Sequence, residues 1–221
     1  MRVLCSAAVV AASYGFAEAQ SSIQYDFTLA VTENNIGLTD PGNVFVDVPI
    51  GAMGLLSIEA STAPFTDFGS DDTLSYSILA TSGSVGGIDL MLDQSGFPST
   101  SFLSGLTVSD DISSPSLGRN ADILSAFVPS LRPDAATNLI TIGAPGDGAA
   151  VPGLWDSPGL PTSIDVTLDG FRGVFTIGAP SFVNRDGRLF TEIVAVEVTV
   201  IPAPASAVLL ACGLVARCRR R

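Results

Sequence analysis

The side chains able to do chemistry in this chain are carboxylates. Asp67, Asp71 and Asp72 fall within the six residues DFGSDD. Hard oxygen ligands gathered in a turn suit Ca²⁺, so these three are the leading candidates for a calcium site. Asp110-Asp111 and Asn184-Arg185-Asp186-Gly187 are lesser clusters. Aspartate also marks turns, because it bonds to nearby backbone N–H groups. Neither an EF-hand loop nor a glycine-rich calcium nonapeptide occurs. The one tryptophan, Trp155, lies in the irregular stretch 143–163. Two roles fit it: stacking on a sugar as a ligand-binding residue, or plugging one end of an apolar core between Pro152, Pro158 and Pro161.

Other chemistries are excluded by residue type. The chain has no histidine, which removes a Ser-His-Asp triad, an imidazole base and imidazole metal ligands. All ten basic residues are arginines, so there is no Schiff-base lysine and no phosphate-loop lysine. Cys5, Cys212 and Cys218 lie near the two ends, so residues 20–200 hold no disulfide, thiolate metal site or cysteine nucleophile. A two-carboxylate glycosidase is the enzyme class left open. Glu33, Glu59, Glu192 and Glu197 are the four glutamates of that stretch. The spacing of Glu192 and Glu197 on one strand puts them on opposite faces. No pair is marked out, no catalytic residue is assigned, and the expectation is a protein that is not an enzyme.

The elements that must position these residues are strands. The stretch 23–32 alternates apolar and polar residues with period two, the mark of a half-buried strand. NVFVDVPI places Val44, Val46, Val48 and Ile50 on one face; GGIDLMLD does so with Ile88, Leu90 and Leu92. IDVTLDG aligns Ile164, Val166 and Leu168, and LFTEIVAVEVTV aligns Phe190, Val194, Val196, Val198 and Val200. Further strands are predicted at LLSIEA, TLSYSILAT, GLTV, TNLITIG and GVFTIG. Residues 184–187 read as a hairpin turn. Only 120–128, NADILSAFV, invites a helix, with Asn120 as cap and Ile123, Leu124 and Phe127 sharing a face. Many short strands with frequent turns predict an all-β fold: one β-sandwich or jelly-roll-like domain over 20–200.

The two ends read as addresses. Arg2, an apolar stretch over 3–12 and the small-x-small triplet Ala17-Glu18-Ala19 have the layout of a secretory signal peptide, residues 1–19, cleaved after Ala19. At the other end, 205–216 is uncharged, and four of the last five residues are Arg217, Arg219, Arg220 and Arg221. As a helix, twelve residues span about 18 Å against a hydrocarbon core of about 30 Å. That is short for a permanent membrane span, and the arginines make it a poor core element. They orient the segment with its end cytoplasmic.

Pro202-Ala203-Pro204, then the apolar segment, then the arginines: this layout resembles the PEP-CTERM sorting signal of exported bacterial proteins. Ala203 stands where that signal usually has glutamate, and the apolar segment is shorter than is typical. The resemblance covers 201–221 and implies export, transient inner-membrane association through the tail, and processing by an exosortase-like membrane protease. The implied destination is the cell surface or an extracellular polysaccharide matrix. Secretion machinery and that protease are the implied partners.

Charge agrees with such a destination. Between 20 and 200, five arginines face 21 acidic residues, a net of −16. That surface repels nucleic acid and anionic lipid. The expected function is therefore a non-enzymatic, structural or adhesive protein of the bacterial surface or biofilm matrix. The alternatives are a carbohydrate-binding module, with or without Ca²⁺, and a small polysaccharide-active hydrolase.

Overall fold

The computed structural model describes residues 21–67, 72–92, 105–114, 119–128, 130–131, 137–145, 153–178 and 187–203. Among the described residues nine strands carry the fold: β1 (Ser22–Asn34), β2 (Met53–Asp67), β3 (Thr73–Val85), β4 (Ile88–Asp89), β5 (Gly105–Ser114), β6 (Arg119–Phe127), β7 (Thr137–Pro145), β8 (Arg172–Gly178) and β9 (Arg188–Ile201). The all-β expectation holds. All the strands belong to one antiparallel sheet of order β2-β1-β9-β8-β7-β6-β5-β3-β4, and β2 also pairs with β3. That last pairing closes eight strands into a barrel, with β4 as an extra strand on β3. Where a sandwich has two sheets and four edges, closure leaves the eight strands without a free edge along the paired lengths.

Period two explains the filling. Tyr25, Phe27 and Leu29 from β1, Leu56 and Ile58 from β2, Leu106 and Val108 from β5, Leu124 from β6, Ile140 and Ile142 from β7, and Phe175 and Ile177 from β8 are all buried in one core. Each such side chain stabilises the fold by about 1.5–3 kcal/mol. The outer wall carries Gln24, Asp26 and Thr28 on β1, Ser57 and Glu59 on β2, and Glu192 and Glu197 on β9. A wall facing lipid needs an apolar outer band; this one has carboxylates outside and hydrocarbon inside.

Several local expectations change. Residues 120–128 are not helical; most of them form β6, bonded to β5 on one side and β7 on the other. Leu124, Ala126 and Val128 are buried at period two, and Asn120 is exposed rather than capping anything. The residue types allowed both periods, and the two neighbouring strands decided between them.

NVFVDVPI and IDVTLDG are not strands either. Both form turns. Both run across the barrel ends as plugs and pack apolar side chains onto the core. The first, 35–52, begins with a single 3-10 turn at Ile36–Leu38 and buries Ile36, Phe45 and Val48. Asn34 holds it: its Nδ2 donates to the carbonyls of Phe45 (2.8 Å), Val46 (3.3 Å) and Val48 (2.9 Å). The second plug, 153–171, buries Ile164 and packs Leu154, Trp155, Leu160 and Phe171 against the core. In GGIDLMLD only Ile88–Asp89 is a strand; Leu90 and Leu92 are buried beyond it, and Leu92 bridges Ser130.

A bulge corrects the reading of β9. Thr28 pairs with Ala195 and Leu29 with Ile193, which leaves Val194 as an extra residue. Before it, Leu189, Thr191 and Ile193 face inward; after it, Val196 and Val198 do. Phe190 and Val194 therefore leave the face predicted for them. The same bulge brings Glu192 and Glu197 to one outer face. They still stand roughly 13 Å apart along the strand. Of the expected 184–187 hairpin, Asn184, Arg185 and Asp186 lie outside the described residues, while Gly187 has the positive φ of 80° that favours glycine.

Candidate functional site

The leading acidic cluster is only partly in view. Asp67 ends β2 and pairs with Leu74, and Asp71 lies outside the described residues. Asp72 is exposed, and its carbonyl accepts the backbone N–H of Asp110 at 2.9 Å. The structure thus ties Asp72 to β5, where the lesser pair Asp110-Asp111 is joined by Asp122. Carboxylate oxygens of these three all lie within 4.8 Å of one another.

In the sequence Asp122 lies in 120–128, whose letters fit a helix as well as alternation, so its face is not marked. Read with period two, it falls on the inward face with Leu124, Ala126 and Val128. It has no exposed surface. Ser109 pairs with Ile123, and the register then slips before Ile112 pairs with Ala121. This bulge sets Asp110 beside Asp122 and drives Asp111 to a φ of +49°, a conformation in which aspartate is one of the few tolerated non-glycine residues.

Two backbone N–H groups hold Asp122 in place. Asp111 donates to its Oδ1 at 3.1 Å and Trp155 to its Oδ2 at 3.2 Å. Gly153 passes so close to Asp122 Oδ2 that a Cβ there would overlap it, so glycine is required at this position. The Asp110 carboxyl is hydrogen bonded to that of Asp122. Partial burial first, then the charge of Asp122, that hydrogen bond, and the charges of Asp111 and Asp156 push Asp110 up to about 6. Crowded carboxyl groups relieve their repulsion by sharing a proton or by taking a cation. The oxygens are of the type Ca²⁺ prefers. Asp122 accepts two N–H groups, and its carboxyl lies against that of Asp110. A glycosidase pair needs about 5 Å or more between carboxyl groups to admit a sugar bond, and this hydrogen-bonded pair leaves no such gap.

Trp155 covers the pair as part of the plug. Its ring is partly buried against the core, and its Nε1 donates to the Ser109 carbonyl at 3.0 Å. Further along, Tyr76 donates its hydroxyl to the carbonyl of Pro158 and Tyr25 to that of Pro161, each at 2.9 Å. Burial pushes both phenols upward; the neighbouring Tyr76 adds to the effect on Tyr25, and a backbone hydrogen bond from Leu160 opposes it at Tyr76. Of the two roles open to Trp155, this geometry is that of the plug.

A second feature lies on the outer wall. A groove of about 610 Å³ crosses β9, β1, β2 and β3. Glu197, Asp26, Ser57 and Ser82 are successive cross-strand partners along it. Gln24 Nε2 donates to both Asp26 oxygens, at 3.0 and 2.9 Å, which fixes that carboxylate. Leu55, 62% exposed, gives the groove an apolar patch.

Of the sorting residues, Pro202 is exposed and Ala203 partly buried just beyond β9. Ala17, Ala19, Pro204, Arg217, Arg219, Arg220 and Arg221 lie outside the described residues. No family model matches this chain, and no curated protein or solved structure matches it.

Proposed function

We propose that this protein is exported and sorted to the bacterial surface or extracellular polysaccharide matrix, where it serves a non-enzymatic, structural or adhesive role. The observation that carries the proposal is the Pro202-Ala203-Pro204 motif followed by an apolar segment and four arginines, a layout that resembles an exosortase-type sorting signal. The barrel is compatible with it. Its interior is filled with side chains, so the body offers its surface rather than a lumen, and that surface is rich in carboxylates. With no histidine or lysine in the chain, the acid–base repertoire is narrow. The sorting machinery and its exosortase-like protease are the proposed partners, with transient inner-membrane association before release.

Mass spectrometry of both termini, on protein recovered from membrane, surface and culture fractions, tests this reading. The expected species begins after Ala19 and lacks the arginine tail. Recovery of surface or matrix protein with Arg221 intact overturns the processing step.

The outer groove favours a second reading, a carbohydrate-binding module. Its row of carboxylate and hydroxyl groups, with Asp26 held by Gln24, beside an apolar patch suits the hydroxyls and apolar face of a sugar. Glycan-array binding that is lost in Asp26→Ala supports this reading. Silence across the array removes it.

A further inference from the structure

The outer groove carries more chemical detail than the binding of sugars in general requires. Two cross-strand rows form it. In the first, Glu197 on β9, Asp26 on β1, Ser57 on β2 and Ser82 on β3 stand side by side. In the second, one pleat along, Leu55 on β2 pairs with Ser84 on β3, and Ser84 with Asp89 on β4. Strands lie about 4.8 Å apart, which sets neighbours in a row roughly one sugar ring from each other.

Among the described residues the lining holds three carboxylates, Asp26, Asp89 and Glu197, and no arginine. Asp26 and Glu197 are direct cross-strand partners, an arrangement of like charges that destabilises a sheet. Gln24 holds Asp26 with a neutral amide, which orients the carboxylate and leaves its charge in place. The fold gains nothing from this pairing, whereas a cation laid across the two strands would satisfy both.

We propose that the groove takes a polymer of amino sugars, with protonated amines seated on Asp26 and Glu197 at one end and on Asp89 at the other. This rests on the carbohydrate-binding reading of the groove and narrows the class of sugar. The serine hydroxyls can donate to and accept from sugar hydroxyls, and the exposed Leu55 offers a seat for the apolar face of a ring. Ammonium–carboxylate contacts are charge-assisted, about twice as strong as neutral hydrogen bonds. Polymers of uronic acids are repelled by the same three carboxylates. An arginine-rich peptide matches the charge but brings neither a ring face for Leu55 nor hydroxyls for the serines.

Isothermal titration calorimetry on the purified protein compares oligomers of glucosamine, N-acetylglucosamine, glucose, galacturonate and arginine, matched in length, in buffer that keeps the amines protonated. We expect the glucosamine oligomer to bind roughly tenfold tighter than its N-acetyl counterpart, with the advantage shrinking as salt rises. Asp26→Asn with Glu197→Gln should abolish that advantage. Asp169→Asn with Glu192→Gln removes as much charge from exposed positions outside the groove and should leave it intact. Leu55→Ser should weaken both oligomers alike. Far-UV circular dichroism checks that each variant keeps the barrel. Equal binding of the glucosamine, N-acetylglucosamine and glucose oligomers overturns the amino-sugar assignment while the carbohydrate-binding reading stands; binding of no sugar overturns both. Equal losses in the two double variants would mean attraction to the acidic surface as a whole, and overturn the assignment too. So does an arginine oligomer that matches glucosamine in affinity and ignores Leu55→Ser, which gives the groove to a peptide.

Discussion

The two ends of the barrel are closed in different ways. At one end a neutral amide does the work: Asn34 donates to three carbonyls of the 35–52 plug while Ile36, Phe45 and Val48 fill the opening. At the other, tyrosine hydroxyls hold Pro158 and Pro161, and the Trp155 corner is held by Asp122 in a crowd of acids. Both ends satisfy backbone groups of an irregular segment, which a buried loop requires. Only the second gathers three carboxylates within 4.8 Å of one another. Closure by itself does not call for a carboxyl pair, since the Asn34 end manages without one.

Three substitutions sharpen that contrast. Phe45 is fully buried in the first plug, so Phe45→Ala should have the largest effect. Loss of contact plus the cavity should cost about 3–5 kcal/mol, read by urea unfolding. A cost below about 1 kcal/mol would show that the plug is not part of the cooperative core. Asn34→Ala comes next. Leaving inward carbonyls unpaired should cost about 1–3 kcal/mol. Because the amide does not titrate, the loss should be the same at pH 5 and pH 8; a pH-dependent loss would remove the distinction between the two ends.

Asp110→Asn should have the smallest effect, and its sign depends on pH. In the folded protein Asp110 titrates near 6, above its unfolded value of about 3.9. The folded state therefore binds the proton more tightly, and its extra stability is fully present below about pH 4. That stability is lost as pH rises towards 6 and stays lost above it. Asparagine cannot lose a proton, so the variant should be more stable than wild type at pH 8, by on the order of 1 kcal/mol once solvent screening at this partly exposed site is allowed for. The advantage should vanish at pH 4. Thermal melts across that range read the sign, and a variant less stable than wild type at pH 8 would contradict the assignment.

Much of the barrel was legible along the chain, because alternation is a local signal. Residues 23–32 declared their inward face, as did TNLITIG and GVFTIG. The misreadings share a cause. NVFVDVPI and IDVTLDG alternate as well as any strand, but a strand also needs a neighbour to pair with, and neither segment has one among the described residues. Residues 120–128 supported two periods at once, and only β5 and β7 on either side selected one. Val194 shows how a single extra residue reverses a face: alternation carried past the bulge misplaced Phe190 and set Glu192 and Glu197 apart. The candidate site suffered from the same misreading. Asp110-Asp111 was visible as a cluster, but Asp122 was hidden inside a supposed helix, and the plug that covers all three was an irregular loop.

The sequence by itself determined the all-β class, the acidic charge, the absence of imidazole and amine chemistry, and the layout of the two ends. These follow from residue type and from spacing over a few positions. Tertiary structure alone decided that the sheet closes, which segments became plugs rather than strands, and that carboxyl groups of two strands meet beside Trp155. Such outcomes rest on pairing between segments far apart in the chain and on a register shifted by one-residue bulges. Local periodicity carries no information about any of these.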